Sequence, residues 1–128
     1  MHPRTKNRLK EFGLEELCGS MQNLIITEPI GYIDFQQLMC NSRFVITDSG
    51  GIQEETTVLK IPCITMRENT ERPITVIEGT NVIIGLDTDK LMDLSVQAIN
   101  KKWKDSKIPE LWDGKTAGRV VKILEKGF

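Results

Sequence analysis

Residues 48–55 of this 128-residue chain read DSGGIQEE, a serine and two glycines set between the apolar run FVIT (44–47) and a stretch with helical spacing. Glycines at a strand-to-helix turn let main-chain N–H groups come close to another molecule, and a helix N-terminus carries partial positive charge. Ser49, Gly50 and Gly51 therefore suit an anion, most often a phosphate. Ser49 equally suits the cap of the helix that follows.

Such a turn has to be held by the elements around it, and those alternate. Charged residues 5–12 have helical spacing and stop at Gly13; residues 23–28 (NLIITE) are β-branched and strand-like; residues 33–41 are helical in spacing. Strand 44–47, helix 52–59, strand 63–66, a helix opened by Arg72 and Pro73 and running to Ile77, strand 81–85 and an amphipathic helix over 89–103 follow. Residues 104–114, with Pro109, Trp112 and Gly114, read as a linker before a terminal helix over 114–126. Short, continuous apolar strands point to a parallel sheet covered on both faces. The order predicts a doubly wound α/β domain with right-handed crossovers over residues 1–128, and ligands in such folds bind beyond the carboxyl ends of the strands. The chain opens on a helix with no strand before it, which reads as a piece of a larger protein.

Composition narrows the partners. Lys plus Arg number 17 against 18 Asp plus Glu, for a net charge of −1, which favours neither nucleic acid nor an anionic membrane surface. No apolar run approaches the roughly 20 residues of a membrane span, and MHPRTKNRLKEFG lacks a signal-peptide core, so the sequence reads as cytoplasmic. Cys18, Cys40 and Cys63 lack metal-like spacing and are expected to be buried, reduced thiols.

Four segments together carry a resemblance: DSGGIQEE, IPCITMRENTERPITVIEGTNVIIG (61–85), HPRTKNRLKEFGL (2–14) and DGKTAGRVVKIL (113–124). They resemble the C-terminal domain of the non-hydrolysing UDP-N-acetylglucosamine 2-epimerases. DSGG alone is common to many nucleotide-sugar proteins, whereas DSGGxQEE followed by RExTERPxTVxxGTN at this separation is specific. The resemblance covers nearly all of the chain and about the last third of a full family member. It implies the C-terminal half of a glycosyltransferase-B type fold, two Rossmann-like domains facing one cleft, and inversion at C2 of UDP-GlcNAc to give UDP-ManNAc with no cofactor and no metal.

On the matching positions the resemblance implies that Ser49, Gly50 and Gly51 hold the UDP phosphates, Glu55 the two ribose hydroxyls and Phe35 the uracil ring. Arg72 would face the diphosphate and stabilise the departing UDP, the catalytic role assigned to this part. A carboxylate offers two acceptor oxygens to two adjacent hydroxyls, and a guanidinium offers a donor fork to phosphate. Phe35 equally fits a helix core. His2 and Glu71 are further candidates for the cleft, and Glu71 and Thr70 equally fit positioning Arg72 or capping the helix at Pro73. Glu54 points to another helix face than Glu55 and reads as a solvated or supporting carboxylate; Arg67 and Glu68 read as a salt-bridged structural pair.

In the implied reaction the C2 proton is removed as UDP leaves, and UDP re-adds with the proton delivered to the opposite face. That requires acids and bases at the sugar. The resemblance places those carboxylates in an N-terminal domain, so the 128 residues by themselves are expected to leave UDP-GlcNAc unturned. Expected partners are UDP, UDP-GlcNAc, the N-terminal domain of the same enzyme and a second copy in a homodimer. Two other readings stand beside this one: a non-catalytic UDP or UDP-sugar binding module, and an epimerase for a related UDP-diacetamido sugar.

Overall fold

The structure, a computed structural model, describes residue 1 and residues 3–127. It divides into two compact units, Met1–Gln37 and Leu38–Phe128. The first holds α1 (Pro3–Glu11), α2 (Glu15–Ser20) and the start of α3 (Tyr32–Cys40). Gly13 stops α1 as expected: it takes a left-handed φ of 65°, its N–H reaches Lys10 O at 3.1 Å, and Leu14 N–H reaches Leu9 O at 2.8 Å. The strand expected over residues 23–28 does not form. Those residues are exposed throughout, Ile25 at 86%, and β-branched side chains without a partner strand do not make a sheet. His2 lies outside the described residues.

The second unit is built on three parallel strands, β1 (Val45–Thr47), β2 (Cys63–Thr65) and β3 (Asn81–Ile83), in the order β1-β2-β3. Val45 pairs with Cys63 and Cys63 with Asn81, so the three carboxyl ends are level. Helix α4 (Gly50–Leu59) connects β1 to β2, and α5 (Pro73–Ile77) connects β2 to β3. Two right-handed crossovers that step the same way across a sheet put their helices on the same face. Accordingly α4 packs against all three strands and against α5. This is the Rossmann-like α/β arrangement expected from the alternation of elements.

The core between α4 and the sheet is unusually polar. Ile64 and Cys63 are fully buried, but so are Gln53, Thr56, Thr65, Thr75 and Asn81. Thr56 and Thr57 satisfy their hydroxyls on the helix itself, donating to Ile52 O at 2.7 Å and Gln53 O at 2.9 Å. Gly79 lets this face close: a Cβ there would stand 2.6 Å from Thr75 O and collide with the Thr57 hydroxyl.

After β3, Asp87 caps α6 (Thr88–Ile99) by accepting the Lys90 N–H at 2.9 Å. The helix ends earlier than its spacing predicts, because Lys101 turns left-handed at φ 57° and Trp103 is held elsewhere, its indole N–H donating to Thr80 O at 2.8 Å. The expected linker is likewise pinned. Lys104 donates to Val76 O, Lys107 N–H to Glu78 O at 2.9 Å, and Pro109 is buried. Desolvation lowers the Lys104 pKa from the ordinary lysine value. Helix α7 (Thr116–Glu125) starts where Arg119 reaches back to Asp113 at 2.8 Å and to Leu111 O at 2.7 Å. The Lys115 N–H and the Arg119 guanidinium hold the Asp113 carboxyl below the usual carboxylate range.

The thiols only partly meet expectation. All three are free, but Cys63 alone is buried, which pushes its pKa up; Cys18 is half-buried and Cys40 is exposed on α3. Among the described residues no helix is long and apolar enough to cross a membrane, and no group of three His, Cys, Asp or Glu could hold a metal ion.

Gly79→Ala is expected to destabilise the chain by about 1–3 kcal/mol, the usual scale of overpacking, because the obstructing Thr75 carbonyl is backbone. Urea unfolding measures it, and an unchanged midpoint would show that α4 does not need this approach.

Candidate functional site

The carboxyl end of β1 runs directly into α4. The Thr47 hydroxyl accepts the Ser49 N–H at 3.0 Å and keeps Ser49 extended at φ −87° and ψ 127°. The first helical bond is made by Gln53 N–H to Ser49 O at 3.3 Å, so the amides of Gly50, Gly51 and Ile52 come before it and face outward without a helical acceptor. The Ser49 hydroxyl makes no capping bond. Capping, one of the two uses the sequence suggests for Ser49, is therefore not how its side chain is employed.

Neither glycine of the turn is required by the chain's own fold. Left-handed φ values fall on Gly13, Gly85, Gly114 and Gly127, not on Gly50 or Gly51. A Cβ on Gly50 would meet nothing nearer than Arg72 Cγ at 3.9 Å, and on Gly51 nothing nearer than Ser49 Oγ at 3.9 Å. Alanine would favour the helix by up to about 1 kcal/mol at each position. What two bare Cα atoms at a helix N-terminus do provide is room for another molecule to reach the amides.

Residues four apart share a helix face, so the first turns of α4 carry two neighbouring rows, Gly50 with Glu54 and Gly51 with Glu55. Arg72 lies along the first row. Its Cγ stands over Gly50, and its Nε pairs with Glu54 Oε1 at 2.9 Å. The second row runs from an open amide at Gly51 to the half-buried Glu55 four residues on, about 6 Å along the axis. The reach from a nucleotide's phosphates to its ribose hydroxyls is of the same order.

Arg72 precedes α5, and both polar groups of its main chain are held. Its N–H donates to Thr70 Oγ1 at 2.9 Å, and its carbonyl accepts the Thr75 hydroxyl at 2.7 Å. Thr70 Oγ1 donates to Gln53 Oε1 at 2.6 Å; Asn81 Nδ2 donates to the same Gln53 oxygen and to Thr75 Oγ1, each at 3.1 Å. These bonds close a ring: Arg72 N, Thr70, Gln53, Asn81, Thr75, Arg72 O. Asn81 Oδ1 is in turn filled by the Thr65 hydroxyl at 2.6 Å. Gln53 Nε2 has no protein partner.

The structure thus gathers Ser49, Gly50, Gly51, Glu55 and Arg72 at one end of α4. Thr70 Oγ1 contacts the main chain of Arg72, the residue that one of its two expected roles concerns. Glu71 is exposed, and its carbonyl accepts from Arg72 Nη1 at 3.3 Å. Phe35 belongs to the first unit, half-buried on α3 with its N–H on Gly31 O at 2.9 Å. Arg67 and Glu68 do not form the expected ion pair; both are exposed, and the Glu68 carboxylate lies against Gly85 instead. Glu54 is the residue that sequence reasoning undervalued. The spacing of four from Gly50 was the available signal, but the partner, Arg72, comes from another element.

The sequence profile of the family described as UDP-N-acetylglucosamine 2-epimerase matches residues 1–125. A UDP-N-acetylglucosamine 2-epimerase of Methanocaldococcus jannaschii is 46% identical over 129 residues, covering 99% of this chain and 34% of that protein. One from Methanococcus maripaludis is 37% identical over 126 residues, covering 97% and 33%. The solved structure of the M. jannaschii UDP-GlcNAc 2-epimerase in complex with UDP-GlcNAc and UDP matches with a TM-score of 0.79 at 46% identity, over 98% of this chain and 34% of that one. The chain spans about a third of the length of the curated relatives it matches.

Asn81→Ala is expected to cost about 2–4 kcal/mol of stability, since it strips partners from Gln53, Thr65 and Thr75, all wholly buried. Chemical denaturation would read it; a loss no larger than that of an exposed substitution would mean that the ring is not a structural support.

Proposed function

Because the chain belongs to the UDP-N-acetylglucosamine 2-epimerase family, we propose that it supplies the UDP-holding part of an enzyme interconverting UDP-GlcNAc and UDP-ManNAc. The observation that carries the reading is the pair of glycines at the start of α4, which neither backbone conformation nor packing within the chain requires. A diphosphate at the Gly50, Gly51 and Ile52 amides explains them. The Ser49 hydroxyl and the Arg72 guanidinium add charge-assisted bonds from either side, and Glu55 takes the ribose hydroxyls one turn along the same row. Phe35 is the aromatic proposed for uracil.

The chemistry follows from what is held. Cleavage of the C1–O bond leaves the electron pair on UDP while a base takes the C2 proton, giving a glycal; UDP then re-adds at C1 while a proton is delivered to the opposite face of C2, which gives the C2 epimer. Donors already aimed at the leaving phosphate stabilise that developing charge without rearranging at the moment of reaction. Amides at a helix N-terminus and Arg72 serve this step. The proton-moving groups at C2 belong, in this reading, to an N-terminal domain that faces the same cleft. A cytoplasmic enzyme, with that domain and a second copy as partners, completes the proposal.

The test separates binding from folding. Gly51→Ala is expected to leave stability unchanged or raise it by up to about 1 kcal/mol, as a helix gains from alanine, while UDP affinity measured by calorimetry falls. Glu55→Gln is expected to weaken UDP by on the order of 1–3 kcal/mol at unchanged melting temperature. Binding should persist in EDTA, because amides and Arg72 meet the phosphate charge. Wild-type chain without heat at millimolar UDP, or a Gly51→Ala chain that binds normally, would refute the assignment.

A further inference from the structure

We propose that Gln53 and Thr70 are positioning residues that set Arg72 at the N-terminus of α4, so that a bound diphosphate meets the guanidinium already in place. This deepens the UDP-binding reading and rests on it. The buried ring carries the inference. Arg72 N–H is taken by Thr70 Oγ1 at 2.9 Å, and the proton of that hydroxyl is committed to Gln53 Oε1 at 2.6 Å. Gln53 is fully buried, and Asn81 Nδ2 fixes its oxygen from the other side at 3.1 Å. The Arg72 N–H and the Thr70 hydroxyl each have one acceptor, which leaves the Thr70 hydroxyl a single orientation.

Gln53 also stands three residues from Gly50 on the same helix. The separation between the open amides and the Arg72 main chain is therefore set through a rigid turn of α4 rather than through the loop 66–71. The next residue, Glu54, completes the hold by taking Arg72 Nε at 2.9 Å. With both side chains about two-fifths exposed, at 44% and 39%, that ion pair contributes little to stability and serves to orient. With Nε on Glu54 and one Nη1 proton on the Glu71 carbonyl at 3.3 Å, Nη2 and the second Nη1 proton are left as the donors for phosphate. Arg72 is thus tied to α4, the helix that presents the amides, directly by its side chain on Glu54 and indirectly by its main chain through Thr70 on Gln53.

The test uses this chain, UDP, and a signal that needs no ligand. Thr70→Val is expected to weaken UDP about tenfold, the scale of one charge-assisted bond, while Thr70→Ser stays within about twofold of wild type. In an Arg72→Ala background Thr70→Val should change affinity by less than about twofold, because a residue that acts only through Arg72 has nothing left to act on. A merely structural Thr70 would weaken both backgrounds alike. Without ligand, the ¹⁵N resonance of Arg72 Nε should shift in Thr70→Val and in Gln53→Met toward its position in Glu54→Gln. An unmoved resonance, or an undiminished effect of Thr70→Val in the Arg72→Ala chain, overturns the proposal. If the wild-type chain does not bind UDP, the UDP reading falls by itself, and the Nε resonance still decides whether Gln53 and Thr70 hold Arg72. Should Thr70→Val not fold, Thr70→Cys, which keeps the volume and weakens both bonds, is read by the same criteria.

Discussion

The second unit depends on a polar constraint: the Gln53 side-chain oxygen, buried between α4 and the sheet, must be filled from two sides. A buried amide without partners costs more than the bonds it makes return, so such a group organises everything around it or destabilises the fold. Here Thr70 fills it from the loop before α5 and Asn81 from β3. Those two bonds tie a helix, a strand and a loop that are remote in sequence. The apolar residues between α4 and the sheet could pack in more than one register, but the amide and hydroxyl partners fit in only one.

That constraint also explains why so small a sheet can hold a site. Three strands of three residues each bury little apolar area. Close approach of α4 and α5 to β3, permitted by Gly79, brings the Thr57 hydroxyl and the Thr75 main-chain carbonyl into a space with no room for another methyl. The same closeness carries Arg72 to the first turn of α4. Packing at the bottom of the helix and the charge arrangement at its top are therefore two ends of one object, and a change in either is felt at the other.

At the open end the economy is reversed. Gly50 and Gly51 contribute nothing to packing, Ser49 leaves its hydroxyl out of the helix cap, and Arg72 gives Nε to Glu54 and one Nη1 proton to the Glu71 carbonyl, keeping its other terminal donors. Groups that fold-directed selection would fill are kept bare on one side of α4, above a buried ring in which every side-chain oxygen has a donor and Gln53 Nε2 alone lacks a partner. Contrast between a bonded ring and an unused rim is what a leaving-group site requires: donors held rigidly but not yet used.

The sequence alone determined the alternation of strands and helices within the second unit, because short continuous apolar runs and apolar residues at helical spacing are distinct patterns, and it marked the glycine turn as a place for an anion. It also carried Glu55 and Arg72 through a motif long enough to be specific. It misjudged residues 23–28, where β-branched side chains met no partner strand, and residues 104–114, where Trp103, Lys104 and Lys107 pin what composition marks as a linker. Glu54, Gln53, Thr75 and Asn81 were invisible as a set, since each reads as an ordinary polar residue until its partner arrives from another element. Only the tertiary structure decided that Arg72 would lie on the Gly50 row, with its Cγ over Gly50 and its Nε on Glu54. The physical reason is that hydrogen bonds between residues up to 28 positions apart, as between Gln53 and Asn81, leave no local period for a sequence to show.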